Sequence, residues 1–238
     1  MKSLLFIVVL FASGSVIAQN SYQVTLLRAT PGRMLDLMED LKVRAMDQNS
    51  NSSNPLIIRH SQGDHWDFFV IESIGDLSTH FSGQSYRVFS PSYGDSFYDL
   101  VAHHEQLYVN GPDPTIFNSM ADQFEYFHIE MFVSLPGKQN ELLKQREMEN
   151  DYLVEIGRNK NLIFTTITGS AWDCLTLGGY RDIKHFAESA DIPLDIEEKA
   201  AINAGFKGVT DISPYLRSLI SRHNDTLGGK VAYLQESE

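Results

Sequence analysis

Apolar positions along the chain follow two periods, and the switch between them recurs in the same order twice. Residues 22–28 (YQVTLLR) mix apolar and β-branched residues as a strand does. Pro31-Gly32 follows, with Pro suited to the first helical position. Met34, Leu37, Met38, Leu41 and Ala45 then recur at helical spacing. The polar, turn-forming stretch 47–55 ends that helix. Leu56–His60 and Trp66–Glu72 predict two strands around a turn at 61–64, and Asp76 is placed to cap a short helix. Phe97, Leu100, Val101, His104 and Leu107 predict a helix over 96–108, and a short strand is expected around 115–117.

The second half predicts the same succession. A strand over 124–133 leads into a long helix over 137–156, with Gly157 as its C-terminal cap. Strands are expected over 161–168 and 171–177, and helices over 182–189, 196–205 and 211–224. Gly228-Gly229 breaks the chain before a final strand over 230–235.

Local identities support a duplication. LIIRHSQGDHWD (56–67) and LIFTTITGSAWD (162–173) share Leu-Ile, Gly63/Gly169 and Trp66-Asp67/Trp172-Asp173. ATPGRMLDLMEDL (29–41) matches SLPGKQNELLKQR (134–146) through its Pro-Gly. Each half thus reads strand–helix–strand–strand–helix–strand, the split βαβ order. A sheet with helices on one face needs cover on the other. The expected fold class is α+β: two tandem ferredoxin-like halves whose antiparallel sheets pack into an intrachain pseudo-dimeric α+β barrel. The expected boundaries are a leader over 1–18, a first half over 19–118 and a second over 119–238.

The strand–Pro-Gly–helix openings, VTLLRATPGRMLDLM and IEMFVSLPGKQNELL, resemble those of the dimeric α+β barrel superfamily, in its NIPSNAP-like, EthD-like and antibiotic-biosynthesis-monooxygenase-like branches. The resemblance implies the barrel fold and a central space. Haem-degrading members carry a helix His on iron; His80 and His185 match that arrangement too loosely to be assigned as ligands.

Composition narrows the function. Lys2, the apolar run 4–11 and the small residues before Ala18 describe a secretory signal peptide cleaved near Ala18, so the protein is expected to be exported, periplasmic or extracellular. The apolar run is shorter than the roughly 20 residues of a spanning helix, so no stable membrane association is expected after cleavage. The 19 Lys and Arg against 31 Asp and Glu give a net charge of −12 with no basic cluster, which argues against nucleic acid as a partner. Cys174 is the only cysteine, so stability rests on an apolar core, and its apolar setting marks it as a buried residue. Fusion of two halves removes the need for a homodimer, so a monomer suffices. The triplets 51–53 and 224–226 match the glycosylation sequon.

Candidate chemistry lies on the first strand of each half. Alternation puts Phe127, Ile129, Met131 and Val133 on one face and His128, Glu130 and Phe132 on the other. With the apolar set under the helices, His128 and Glu130 would face the barrel interior, as would their counterparts Gln23 and Thr25. A His and a Glu two apart on a strand can act as base and orienting acid or as two metal ligands, but without a third convergent group they do not define a site. Trp66 and Trp172 are expected to close the barrel or line its cavity as a ligand-stacking wall. The adjacent His103 and His104 point about 100° apart on a predicted helix and cannot readily share a metal. Asp67 and Asp173 are read as turn-stabilising groups. No nucleotide-binding loop, GxSxG, HExxH or CxxC motif occurs, and the sequence indicates no particular cofactor and no metal.

Three functions fit these features. The first is an exported small-molecule-binding protein whose pocket would lie inside one or both halves, lined by His128, Glu130, Trp66 and Trp172, with Gln23 and Thr25 as further ligand-binding candidates. The second is an oxygenase- or isomerase-like enzyme using His128 and Glu130, and the third a structural duplication without a pocket. A filled barrel interior would favour the third.

Overall fold

The computed structural model describes residues 20–46, 55–84 and 95–232. The expected signal peptide, the interrupting polar stretch 47–54 and the end of the expected last strand lie outside the described residues. The elements of the first half are β1 (Asn20–Ala29), α1 (Met34–Met46), β2 (Leu56–Gln62), β3 (Phe68–Gly75), α2 (Leu77–Thr79) with a π-helical turn over His80–Gln84, α3 (Asp95–Tyr98) and β4 (Val101–Gly111). After α4 (Pro114–Gln123), the second half runs β5 (Tyr126–Ser134), α5 (Gln139–Glu155), β6 (Leu162–Thr168), β7 (Cys174–Tyr180), α6 (Ile183–Ala187), α7 (Leu194–Asn203), α8 (Ile212–Arg217) and β8 (Ile220–Lys230). Among the described residues no helix is long and apolar enough to cross a membrane.

The eight strands close in the order β1-β3-β2-β8-β5-β7-β6-β4. Each half contributes four antiparallel strands, β4-β1-β3-β2 and β8-β5-β7-β6, and the seams are β2–β8 and β4–β6. Closure removes the sheet edges that a lone half would leave open. The repeated glycines sit at these seams. Gly63 and Gly169 have φ of +131° and +96°, and a Cβ on either would fall 2.4 Å from the Asp225 carbonyl oxygen or 2.6 Å from that of Gln106. Each half's turn therefore needs glycine where it crosses the other half's last strand.

The repeated aspartates fasten β1 and β5. Asp67 accepts a hydrogen bond from the Ala29 backbone N–H at 2.8 Å, and Asp173 accepts one from Ser134 at the same distance. The expected turn-stabilising role is what these carboxylates perform.

The barrel interior is filled. Tyr22, Val24, Leu26, Phe69, Ile71, Leu107, Val109, Phe127, Ile129, Met131, Phe164, Leu175 and Leu177 form one buried cluster with Trp66 and Trp172. Outside the sheet, α1 packs Leu37, Leu41 and Ala45 on Leu27, Ile57, Phe68 and Val70, and α5 packs Leu142 on Phe132 and Cys174. Cys174 is buried as expected.

This arrangement corrects the expected faces. Phe127, Ile129 and Met131 point into the barrel, and His128 and Glu130 point outward, beneath α5; Gln23 and Thr25 likewise share the outer face, with Leu27. An interior of packed hydrocarbon offers Glu130 no partner, and burying an unpaired carboxylate is prohibitive. Helix α5 supplies Arg146 on the other side of the sheet.

Three elements also differ from expectation. Residues 101–111 form β4, where a helix is predicted, because pairing with β1 along nearly its whole length outweighs a short helical pattern that spans a turn. Residues 114–123 form α4, started by Asp113 and Pro114, in place of a strand around 115–117. The last strand begins at Ile220, so the predicted helix over 211–224 stops at Arg217.

Candidate functional site

Three adjacent strands of the second half, β7-β5-β8, present polar side chains to α5. Their register aligns Glu130 with Thr176 on one side and Asp225 on the other, and Phe132 with His223. Strand alternation then puts His128, Glu130, His223 and Asp225 on the same outer face. From α5, the i, i+3 pair Arg146 and Glu149 faces them, with Gln145 alongside.

Glu130 is the anchor. Its Oε2 accepts hydrogen bonds from the Thr176 hydroxyl at 2.9 Å and from Arg146 Nη1 at 3.2 Å. Its Oε1 lies 3.4 Å from His223 Nε2. The Arg146 guanidinium also pairs with Glu149, donates its Nε–H to Gln145 Oε1 at 2.7 Å, and lies over the Phe132 ring at 4.7 Å. His223 stacks on that ring, 4.7 Å between centroids and 6° from parallel. His128 Nε2 lies 3.1 Å from Asp225 Oδ1, and His223 Nε2 lies 3.4 Å from the same oxygen.

The electrostatics follow from this packing. Burial works to raise the Glu130 carboxyl, but the neighbouring His223, Arg146 and His128 and the Thr176 hydroxyl outweigh it and hold it at about 2. Burial lowers His128, yet its bond to Asp225 and the charge of Glu130 raise it on balance. Burial raises Glu149, with Arg146 opposing and Glu130 adding to the rise. An open cleft of about 400 Å³, lined by Gly63, Asp64, His65, His223, Asn224 and Asp225, borders the cluster at His223 and Asp225.

The structure brings His128 and Glu130 together on one face and adds the convergent groups that the sequence lacked. His223 and Asp225 escaped sequence reasoning because the helix expected over 211–224 ends between them, and Arg146 and Glu149 because their expected helix could not be placed over this sheet face. The period-two spacing of His223, Asp225 and Leu227 was the available signal. Trp66 and Trp172 lie in the barrel core, away from this cluster, with Arg222 over the Trp172 ring at 4.1 Å. Gln23 and Thr25 occupy the positions in the first half that correspond to His128 and Glu130, and Gln23 lies in register with Glu72 and Tyr108. His104 opposite Leu27 corresponds to His223 opposite Phe132, and Gln106 to Asp225. His103 meets His65, with 3.3 Å between their Nε2 atoms, and His185 Nδ1 accepts from the Arg181 N–H. His80 packs on Tyr108 and Phe81.

No family model and no curated protein matches the sequence. Solved structures match the fold. An anthrone oxidase-like protein aligns with a TM-score of 0.61 at 11% identity, over 93% of this chain and 97% of that one. A protein from Fusobacterium nucleatum assigned as a monooxygenase gives 0.56 at 10% identity, over 93% and 96%. One assigned as a chlorite dismutase gives 0.50 at 13% identity, over 90% and 96%. With the closed strand order, these likenesses establish the fold class: the chain is a dimeric α+β barrel with both halves in one polypeptide.

Proposed function

We propose that this protein is an exported small-molecule-binding protein whose site is the recess between the outer face of the second half's sheet and α5. The observation that carries this reading is an asymmetry between equivalent positions. Where the first half has Gln23, Thr25 and Gln106, the second has His128, Glu130 and Asp225, clustered and with Asp225 in the wall of an open cleft. The scaffold residues Pro-Gly, Gly and Trp-Asp are the same in both halves. Buried ionic groups are costly to a scaffold that apolar residues would serve as well. Export is supported by the pattern of residues 1–18. The division into a leader and two halves at 18 and 118 is proposed with it.

The test is native mass spectrometry of the protein purified from its own host, with the N-terminus determined on the same sample. A chain beginning near residue 19 and carrying a small molecule that His128→Ala releases is the expected result. A ligand-free chain, or one whose ligand survives His128→Ala and Asp225→Asn, would refute the recess as the site.

A second reading, an oxygenase- or isomerase-like enzyme, is favoured by one contact. His128 Nε2 lies 3.1 Å from Asp225, the arrangement of a base held by an orienting carboxylate. The partner differs from the Glu130 expected from the sequence. The solved structures assigned as monooxygenases are in keeping with it. The filled barrel interior suits the third reading, a structural duplication, for the interior alone.

A further inference from the structure

We propose that His128, Glu130, His223 and Asp225 form a binding site for one divalent first-row transition-metal ion. The inference rests on the reading of this recess as the ligand site and names the ligand's chemistry.

The spacing of the donor atoms suits a metal ion. Ligands about 2.1 Å from a zinc-like ion stand roughly 3.0 Å apart in an octahedron and 3.4 Å apart in a tetrahedron. The observed separations are 3.1 Å for His128 Nε2 to Asp225 Oδ1 and 3.4 Å for His223 Nε2 to both Asp225 Oδ1 and Glu130 Oε1. One donor atom each from His128, Glu130 and Asp225 lie within 4.8 Å of one another. Three donor pairs among these residues, on adjacent strands, are thus already at the edge lengths of a coordination sphere.

One buried ring nitrogen is poorly satisfied. His223 Nε2 is buried and has no aligned hydrogen bond, although two carboxylates lie 3.4 Å away. A ring nitrogen stacked in place by Phe132, between two carboxylates but aligned with neither, is poorly satisfied. A metal ion would satisfy it.

Neighbouring groups support the carboxylate ligand. Metal-bound carboxylates are oriented by hydrogen bonds from behind. Glu130 has this arrangement, since Thr176 and Arg146 both bond Oε2 and leave Oε1 toward the cluster. Charge agrees: Glu130, Glu149 and Asp225 face a single guanidinium, Arg146, and two imidazoles. A dication would neutralise that excess. Mixed imidazole and carboxylate donors suit Zn, Fe, Co or Ni better than Mg or Ca, which prefer all-oxygen sets.

The experiment uses the full exported chain, freed of metal with a chelator and titrated with Co(II) chloride. Ligand-field absorption and the thermal midpoint are followed, and Zn(II) is then added in competition. The expected result is one equivalent of Co(II) bound, a raised midpoint, and displacement by Zn(II). His223→Ala and Asp225→Asn should weaken binding at least about 100-fold, and Thr176→Val, which acts only through Glu130, about 10- to 100-fold. His104→Ala, the same position in the first half, should leave it unchanged. Asp225 is the most exposed of the four ligands, so Asp225→Asn keeps the test valid if Glu130→Gln fails to fold.

Absence of Co(II) binding, or binding that both His223→Ala and Asp225→Asn leave intact, would overturn the metal site. If an organic molecule co-purifies in the recess while Co(II) does not bind, the metal site fails and the recess stands. If Co(II) binds and the variants abolish it with no organic ligand found, the metal site stands on its own.

Discussion

The carboxylate of Asp173 accepts two hydrogen bonds from Ser134, from its backbone N–H at 2.8 Å and its hydroxyl at 2.6 Å. In the first half Asp67 makes only the first of these, to Ala29. The Trp-Asp pair at the start of each half's third strand therefore clamps the end of its first strand. Asp173→Ala should destabilise the protein by about 1–3 kcal/mol, and Asp67→Ala by less, because one donor rather than two is orphaned. Urea denaturation midpoints at constant slope would show the order; equal losses would contradict it.

The seam glycines should tolerate no side chain. Gly169→Ala meets the Gln106 carbonyl and the Leu107 Cα at a backbone φ of +96°, and Gly63→Ala meets Asp225 and Thr226 at +131°. Both substitutions should destabilise the protein by more than the roughly 0.4–1 kcal/mol that an unstrained Gly-to-Ala change gains, since backbone must move as well. Gly32→Ala is the comparison, with positive φ but open space around its Cβ position, and should cost less. Thermal unfolding of the three variants side by side would check the ranking.

Arg146 and Glu130 should be strongly coupled. Their side chains are 1% and 8% exposed, so removing one partner buries an uncompensated charge. Arg146→Met is expected to cost about 3–5 kcal/mol, and the Arg146→Met/Glu130→Gln double variant less than the sum of the single losses. A double-mutant cycle in chelator, which keeps metal out of the comparison, would measure this; simple additivity would refute the coupling.

Cys174 should be silent to thiol reagents in the folded protein. Burial pushes its thiol up to about 12, with Arg146 only partly opposing. Because the folded value lies above the unfolded value of 9.0, this group favours folding fully below pH 9 and loses that contribution as pH climbs toward 12. Ellman's reagent at pH 8 should label the native chain slowly and the denatured chain at once. Rapid native labelling would mean that the layer between β7 and α5 opens readily.

Much of the architecture was legible in the residues. Leu37, Leu41 and Ala45 mark a helix because apolar spacing of three and four can bury only in that form. The recurring Pro-Gly and Trp-Asp reveal the duplication, and the duplication implies two sheets closing on one another. The last strand of each half was not legible. Residues 101–111 and 220–230 are rich in His, Asn, Asp and Gln, and carry few of the β-branched alternations that announce a strand. They are strands because β1 and β5 offer them a full ladder of backbone partners, and because each must also bridge to the opposite half to close the barrel.

The sequence by itself determined the repeat, the element types with a strong period, the pairing of His128 with Glu130 on one strand face, and a single thiol in an apolar setting. Only the tertiary structure decided which way that face points. Alternation separates two sets of side chains but says nothing of which set goes inside; that choice depends on where Glu130 can find a partner. Arg146 stands on α5, outside the barrel, so the polar set turns outward and the hydrocarbon set fills the interior. The same closure carries β8 alongside β5, and with it His223 and Asp225, nearly a hundred residues away in sequence, into reach of His128 and Glu130.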